Sequence, residues 1–181
     1  EYKRFEARNT FRLVDASGAE VPYQLLHVHR NRFARDVQER YSTAADIHQI
    51  ALVADLPAMG TAEYQILPVA GPVRYMTGMA TSDHGCENAF LALELSDQGT
   101  LSILDKRNGR TWSNLIDYRD CGEIGDGWHH VPPIDDRIVT SRGSACSIEL
   151  ADDGPARCTF TVKRVLRLPA GLDTGAGQIQ R

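Results

Sequence analysis

The stretch that decides the fold is "NAFLALELSDQGTLSILDKRNGRTW", residues 88–112. Apolar and polar residues alternate in "NAFLALELS" (88–96) and in "TLSILD" (100–105), which is the period of a strand with one buried face. Between these runs, "SDQGT" places Gly99 where a tight turn requires positive φ. Asn108-Gly109 then predicts a two-residue type I′ turn. The stretch therefore predicts successive β-hairpins.

The same alternation recurs along the chain, in residues 20–29, 47–56, 61–69 and 158–168. Turn signals separate these runs roughly every ten residues, which is typical of a β-sandwich. We therefore expect an all-β fold. A stretch rich in Gly and Pro, residues 67–85, marks the best boundary and predicts two domains, 1–70 and 71–181.

One segment departs from this pattern. Phe33, Val37 and Tyr41 are spaced four residues apart, which is helical spacing. A short helix and a long, charged loop with a strand inside it both remain open for this segment.

Composition limits the class of protein. The 181 residues are 42% hydrophobic and 24% charged, as in a soluble globular chain. The net charge is −4 and the basic residues are scattered, which argues against a nucleic-acid partner. No apolar run approaches a membrane span. The four cysteines show neither a CxxC pair nor framework spacing, so we expect free thiols in a cytoplasmic protein, with one or two disulfides as the alternative.

The histidines are the first candidates for a metal site. His27 and His29 would share one strand face, but no third ligand is placed by spacing. His129 and His130 are adjacent, so they would point to opposite sides of an extended backbone. The sequence therefore predicts no metal site in this chain.

Residues 122–133, "GEIGDGWHHVPP", are the most unusual segment, and they lie among four acids: Asp117, Asp120, Glu123 and Asp126. Such a segment can supply one carboxylate, but a glycosidase needs two that flank one bond. No GxSxG elbow or nucleotide-binding glycine motif is present, and "SRGSACS" (141–147) is typical of a turn that leads into a strand. We therefore predict no catalytic residue in this chain.

Sugar recognition is the alternative chemistry for this segment. An exposed Trp128 would stack on the apolar face of a pyranose, while Asp126 and His129 would hydrogen-bond its hydroxyls. We take Trp128, Asp126 and His129 as candidate substrate-binding residues. A hydrophobic plug over the edge of the sandwich is an equally open interpretation of Trp128.

Four phrases in order resemble the C-terminal β region of glycoside hydrolase family 38, the retaining α-mannosidases of bacterial type. They are a strand ending with Leu56, Pro57, Gly60 and Tyr64; the hairpin from Asn88 to Arg110; "GDGWHHVPP" (125–133); and "GPARCTFTVKRVLRLP" (154–169). Together they cover roughly residues 11–169. The resemblance implies a small β linker domain followed by the N-terminal portion of a galactose-mutarotase-like β-supersandwich.

The resemblance also implies where the chemistry belongs. The aspartates and the zinc ligands of such enzymes lie in an N-terminal catalytic domain that nothing here matches. A loop of the β region presents a tyrosine to the sugar in the family, and Trp128 stands at that position.

The sequence thus suggests an accessory β domain of an α-mannosidase, a hydrolase of mannose metabolism. It would support its own catalytic domain and contact a mannose-containing glycan, and alone it would be inactive. A stand-alone carbohydrate-binding, lectin-like sandwich and a purely structural β module are the alternatives.

Overall fold

The computed structural model of the protein describes residues 10–34, 43–173 and 178–180. No helix occurs among these residues, so none has the length and apolar character of a membrane span. The prediction of an all-β fold is confirmed. The strands are β1 (Phe11–Asp15), β2 (Glu20–Val21), β3 (Tyr23–Ala34), β4 (Thr43–Leu52), β5 (Tyr64–Pro68), β6 (Ala80–Ser82), β7 (Gly85–Glu87), β8 (Leu91–Leu95), β9 (Leu101–Asp105), β10 (Arg110–Leu115), β11 (Arg119–Asp120), β12 (Val139–Thr140), β13 (Ala145–Asp153), β14 (Cys158–Val165), β15 (Gly171–Asp173) and β16 (Gln178–Gln180).

The chain divides into two compact units. Unit 1 comprises Glu1–Met79 and Asp152–Cys158, and unit 2 comprises Ala80–Ala151 and Thr159–Arg181. The boundary predicted between residues 70 and 71 falls inside unit 1, and the assignment of two domains stays a prediction.

Unit 1 is built from two antiparallel arrangements. Strands β2, β1 and β5 form one sheet in that order, and β3 pairs with β4. Leu13 and Tyr23 are buried in this unit. The Tyr23 ring stacks on Phe11 with the ring centroids 4.9 Å apart, and the Tyr23 hydroxyl donates to the Phe11 carbonyl at 2.7 Å. The aromatic contact thus also satisfies the polar end of the buried tyrosine.

The structure describes only part of the segment that contains Phe33, Val37 and Tyr41. Strand β3 extends through Phe33 to Ala34. Val37 and Tyr41 lie outside the described residues.

Unit 2 contains the stretch 88–112. Within the described residues its main sheet has the order β10-β9-β8-β7-β6, with neighbouring strands antiparallel. Leu93 pairs with Ile103, which pairs with Trp112, so the predicted alternation sets the register. Leu95 at the end of β8 is 6% exposed and is a buried apolar residue of this unit.

The turn before β9 is the predicted one. Gly99 has a φ of 73°, its N–H donates to the Ser96 carbonyl at 2.7 Å, and the Ser96 N–H donates to the Thr100 carbonyl at 2.9 Å. The prediction of positive φ at Gly99 is confirmed, since glycine has no Cβ to oppose it.

The turn after β9 differs from the prediction. Arg110 pairs with Asp105, so the connection has four residues, 106–109. Of these four described residues, Gly109 alone has positive φ, at 72°, whereas a type I′ turn needs positive φ at two positions. Asp105 causes the change, because its carboxylate accepts hydrogen bonds from the Arg107 N–H and side chain and from the Asn108 amide. The predicted two-residue turn is therefore wrong.

Two predicted strands also have other bounds than expected. The alternation over 20–29 is interrupted at Pro22, which has no N–H for a ladder, so β2 and β3 are separate. The predicted strand 47–56 ends early, because β4 stops at Leu52. Leu52 pairs with Tyr23, the first residue of β3. Val53 therefore lies beyond the partner strand.

Candidate functional site

The pairing of β11 with β12 brackets the segment 121–138, which contains residues 122–133. Its neck is closed by the Ile124 N–H, which donates to the Val131 carbonyl at 2.9 Å. The Gly122 N–H donates to Asp136 Oδ1 at 2.8 Å. We refer to residues 122–133 as the WHH loop. Backbone pairing at its base thus fixes where the loop begins and ends.

Ser141 anchors the base of the WHH loop. It is fully buried. Its hydroxyl donates to Asp117 Oδ1 at 2.7 Å and accepts from the Tyr118 N–H at 2.9 Å and from Arg164 Nη1 at 2.5 Å. Asp117 also accepts from Arg142 Nε at 2.7 Å. Sequence reasoning interpreted this region as an ordinary turn, because the partners of Ser141 are more than twenty residues away in the chain.

Glu123 organises the WHH loop from inside. Its Oε1 accepts from the Gly125 N–H at 2.5 Å and from the Val131 N–H at 2.9 Å, and its Oε2 contacts His130 Nδ1. The bonds from the Val131 and Gly125 backbone hold the pKa of the Glu123 carboxyl below its usual value, and His130 adds to the effect. Glu123 is therefore an ionised structural acceptor near neutral pH.

Asp126 also accepts backbone hydrogen bonds, at the tip of the WHH loop. Its Oδ1 accepts from the Trp128 and His129 N–H groups, both at 2.8 Å, and lies 3.2 Å from His129 Nδ1. The two backbone bonds lower the pKa of the Asp126 carboxyl. All three of these contacts involve Oδ1.

Trp128 projects from this turn, and its side chain is 90% exposed. The structure therefore places Trp128 outward, with Asp126 and His129 beside it. The interpretation of Trp128 as a hydrophobic plug requires a buried indole, which is not what is found. Contact of these three residues with a sugar stays a prediction.

Three acids of this region, Asp117, Glu123 and Asp126, do not have the raised pKa of a general acid. A general acid needs a raised pKa at neutral pH. The Ser141 hydroxyl, together with Arg142, lowers the pKa of Asp117, and those of Glu123 and Asp126 are lowered as described. These three carboxylates are suited to holding the chain in place.

The histidines do not assemble a metal centre among the described residues. No group of three or more His, Cys, Asp or Glu side chains there has an arrangement that could hold a metal ion. The His27 and His29 rings are neighbours, 4.3 Å apart between centroids, as their spacing predicted. His129 and His130 contact different carboxylates, Asp126 and Glu123. No zinc ligand set is therefore built from the residues described.

One arrangement in this region was not predicted. Cys121 Sγ lies 3.9 Å from His130 Nε2, on the far side of the ring from Glu123. The separations in sequence are nine and seven residues, and in a loop no helix or strand periodicity brings such positions together. Only the fold of the loop brings the three side chains together.

The sequence matches no protein-family model and no curated protein. Its structure is similar to an α-mannosidase from Enterococcus faecalis V583, with a TM-score of 0.76 and 20% identity over 94% of this chain and 20% of that one. It is also similar to a protein in the glycosyl hydrolase family 38 from Enterococcus faecalis, with a TM-score of 0.72 and 20% identity over 88% of this chain and 19% of that one.

These similarities concern the fold. The chain spans about a fifth of the length of the structures that it matches. The resemblance to family 38 drawn from the sequence is confirmed at this level. The chain therefore has the fold of a segment of the α-mannosidase and of the family 38 protein that it matches.

Proposed function

We propose that this chain is an accessory β region of a retaining α-mannosidase-type glycoside hydrolase. The observation that carries the proposal is the fold match over nearly the whole chain to a fifth of an α-mannosidase. The carboxylate pair and the zinc ligands would belong to the catalytic domain of the longer protein, and the chain would support that domain. The substrate would be a mannose-containing glycan or glycoside.

The geometry of the WHH loop supports a further role in sugar contact. An exposed indole offers an apolar face for a pyranose ring and an N–H donor at its edge. Asp126, whose Oδ1 accepts from the Trp128 N–H, and the neighbouring His129 ring would supply hydrogen-bond partners for sugar hydroxyls. Since backbone bonds fix the turn under Trp128, the indole would need little ordering to bind.

The test is Trp128→Ala in the full-length enzyme, assayed on an aryl α-mannoside. We expect kcat/KM to fall by about tenfold, because a stacking surface is removed from the glycone site. Trp112→Ala is the matched control, since it removes the other tryptophan of the chain, which lies on β10 and contacts Arg110. An unchanged kcat/KM in the Trp128 variant would refute the role of the loop.

A stand-alone carbohydrate-binding sandwich is the second candidate. The same exposed tryptophan beside polar groups favours it. It differs in requiring that the chain bind sugar without any other domain.

A further inference from the structure

Cys121, His130 and Glu123 form a linear relay at the base of the WHH loop. Glu123 Oε2 contacts Nδ1 of the His130 ring, and Cys121 Sγ lies 3.9 Å from Nε2 of the same ring. A nucleophile in contact with a base, and a base oriented by a third group, is the arrangement that activates thiols and hydroxyls.

The contacts determine the tautomer of His130. An ionised carboxylate can only accept, so Nδ1 must carry the proton that faces Glu123. In the neutral ring Nε2 then has a free lone pair, which faces the Cys121 thiol. The thiol can therefore pass its proton to His130, and Glu123 stabilises the imidazolium that results.

Other groups near the relay do not interrupt it. Asp136 accepts from the Gly122 N–H, and the Glu123 Oε1 atom is taken by the Gly125 and Val131 N–H groups. The Cys121 thiol is half-buried, while the His130 side chain is 56% exposed. The exposed His130 ring thus leaves this pair open to solvent.

We propose that Cys121 is an activated nucleophile and a modification site for small-molecule disulfides. His130 takes the thiol proton, and the thiolate attacks one sulfur of the small disulfide. The S–S bond of the reagent breaks as a new S–S bond forms with Cys121. The other half leaves as a thiolate and takes the proton from His130, so Cys121 is oxidised and one half of the reagent is reduced. This inference does not depend on sugar binding.

The experiment treats the folded chain with oxidised glutathione and follows each cysteine by peptide mass spectrometry. We expect Cys121 to form the mixed disulfide about tenfold faster than Cys86 and Cys146, which lie in strands β7 and β13. His130→Gln should slow Cys121 by about tenfold at pH 7, because the base is lost. The gain in rate from pH 7 to pH 9 should be larger in this variant than in the parent chain.

His129→Gln is the matched control, because it makes the same chemical change one residue away, at a ring that contacts Asp126. It should leave the rate at Cys121 unchanged. The proposal is overturned if His130→Gln reacts at the parent rate, or if His129→Gln slows the reaction as much. Failure here leaves the Trp128 test unaffected, since that test reads activity toward a mannoside.

Discussion

At the scale of single residues, two glycines with the same backbone angle have different surroundings. Gly99 and Gly109 have φ values of 73° and 72°. A Cβ at Gly99 would lie 2.7 Å from Cys146 Sγ and 2.9 Å from Val162 Cγ1, whereas a Cβ at Gly109 would meet open space. Gly109 is thus required by conformation alone, and Gly99 by conformation and packing.

Alanine substitutions should separate these two requirements. We expect Gly109→Ala to lower the free energy of unfolding by about 1 kcal/mol, the cost of a left-handed residue with a Cβ. Gly99→Ala should cost at least about 1 kcal/mol more, since overpacking adds to it. Urea unfolding measures both, with Gly71→Ala as a control because its Cβ meets open space without positive φ. Equal losses at Gly99 and Gly109 would contradict the packing argument.

At the scale of elements, side-chain hydrogen bonds decided the turn that sequence statistics missed. Asn108-Gly109 favours a two-residue turn, but the Asp105 carboxylate captures Arg107 and Asn108 and lengthens the loop to four residues. Lys106 completes the turn by donating to the Asn88 carbonyl at 2.9 Å and pairing with Glu87. The residues between Asn88 and Arg110 that carry the family resemblance therefore stabilise the hairpin.

Asp105 should make the stability of this hairpin sensitive to acid. Hydrogen bonds from the Arg107 side chain and N–H hold the pKa of the buried Asp105 carboxyl below its usual value. A carboxyl whose pKa is lowered by folding stabilises the folded state at pH values above its pKa in the unfolded chain, about 3.9. This contribution is lost as the pH falls through the pKa of the folded state. We expect Asp105→Asn to lower Tm at pH 7. The difference in Tm between the variant and the parent chain should narrow by pH 3.

The exposed Asp55, outside any strand, provides the control for this measurement. Asp55→Asn should leave Tm unchanged at both pH values. If the difference in Tm between Asp105→Asn and the parent chain stays constant from pH 7 to pH 3, the charge of the Asp105 carboxylate does not contribute to stability.

At the scale of the whole molecule, the described residues bury few large apolar side chains. Leu13, Tyr23 and Leu95 are buried, while Met59, Met76 and Ile134 are almost fully exposed. Such exposed apolar surface is available for contact with another domain. It agrees with the proposal that the chain supports a catalytic domain.

The same proposal predicts that the isolated chain is inert. We expect no hydrolysis of an aryl α-mannoside, because under this proposal the carboxylate pair that a glycosidase needs belongs to the catalytic domain. We also expect no heat when mannose or mannobiose is titrated into the chain by calorimetry, because the WHH loop would supply only one side of a sugar site. Turnover would contradict the accessory role, and measurable binding would favour the lectin-like alternative.

The sequence by itself determined the all-β class, the strands of residues 88–112 and the resemblance to family 38. The alternation of strands and the glycines of turns are local signals, so they can be recognised in the sequence without knowledge of the fold. Only the tertiary structure decided that Ser141 joins Asp117 and Arg164, that Trp128 faces outward, and that Cys121 meets His130. These contacts depend on loop conformation and long-range hydrogen bonds, which no periodicity encodes.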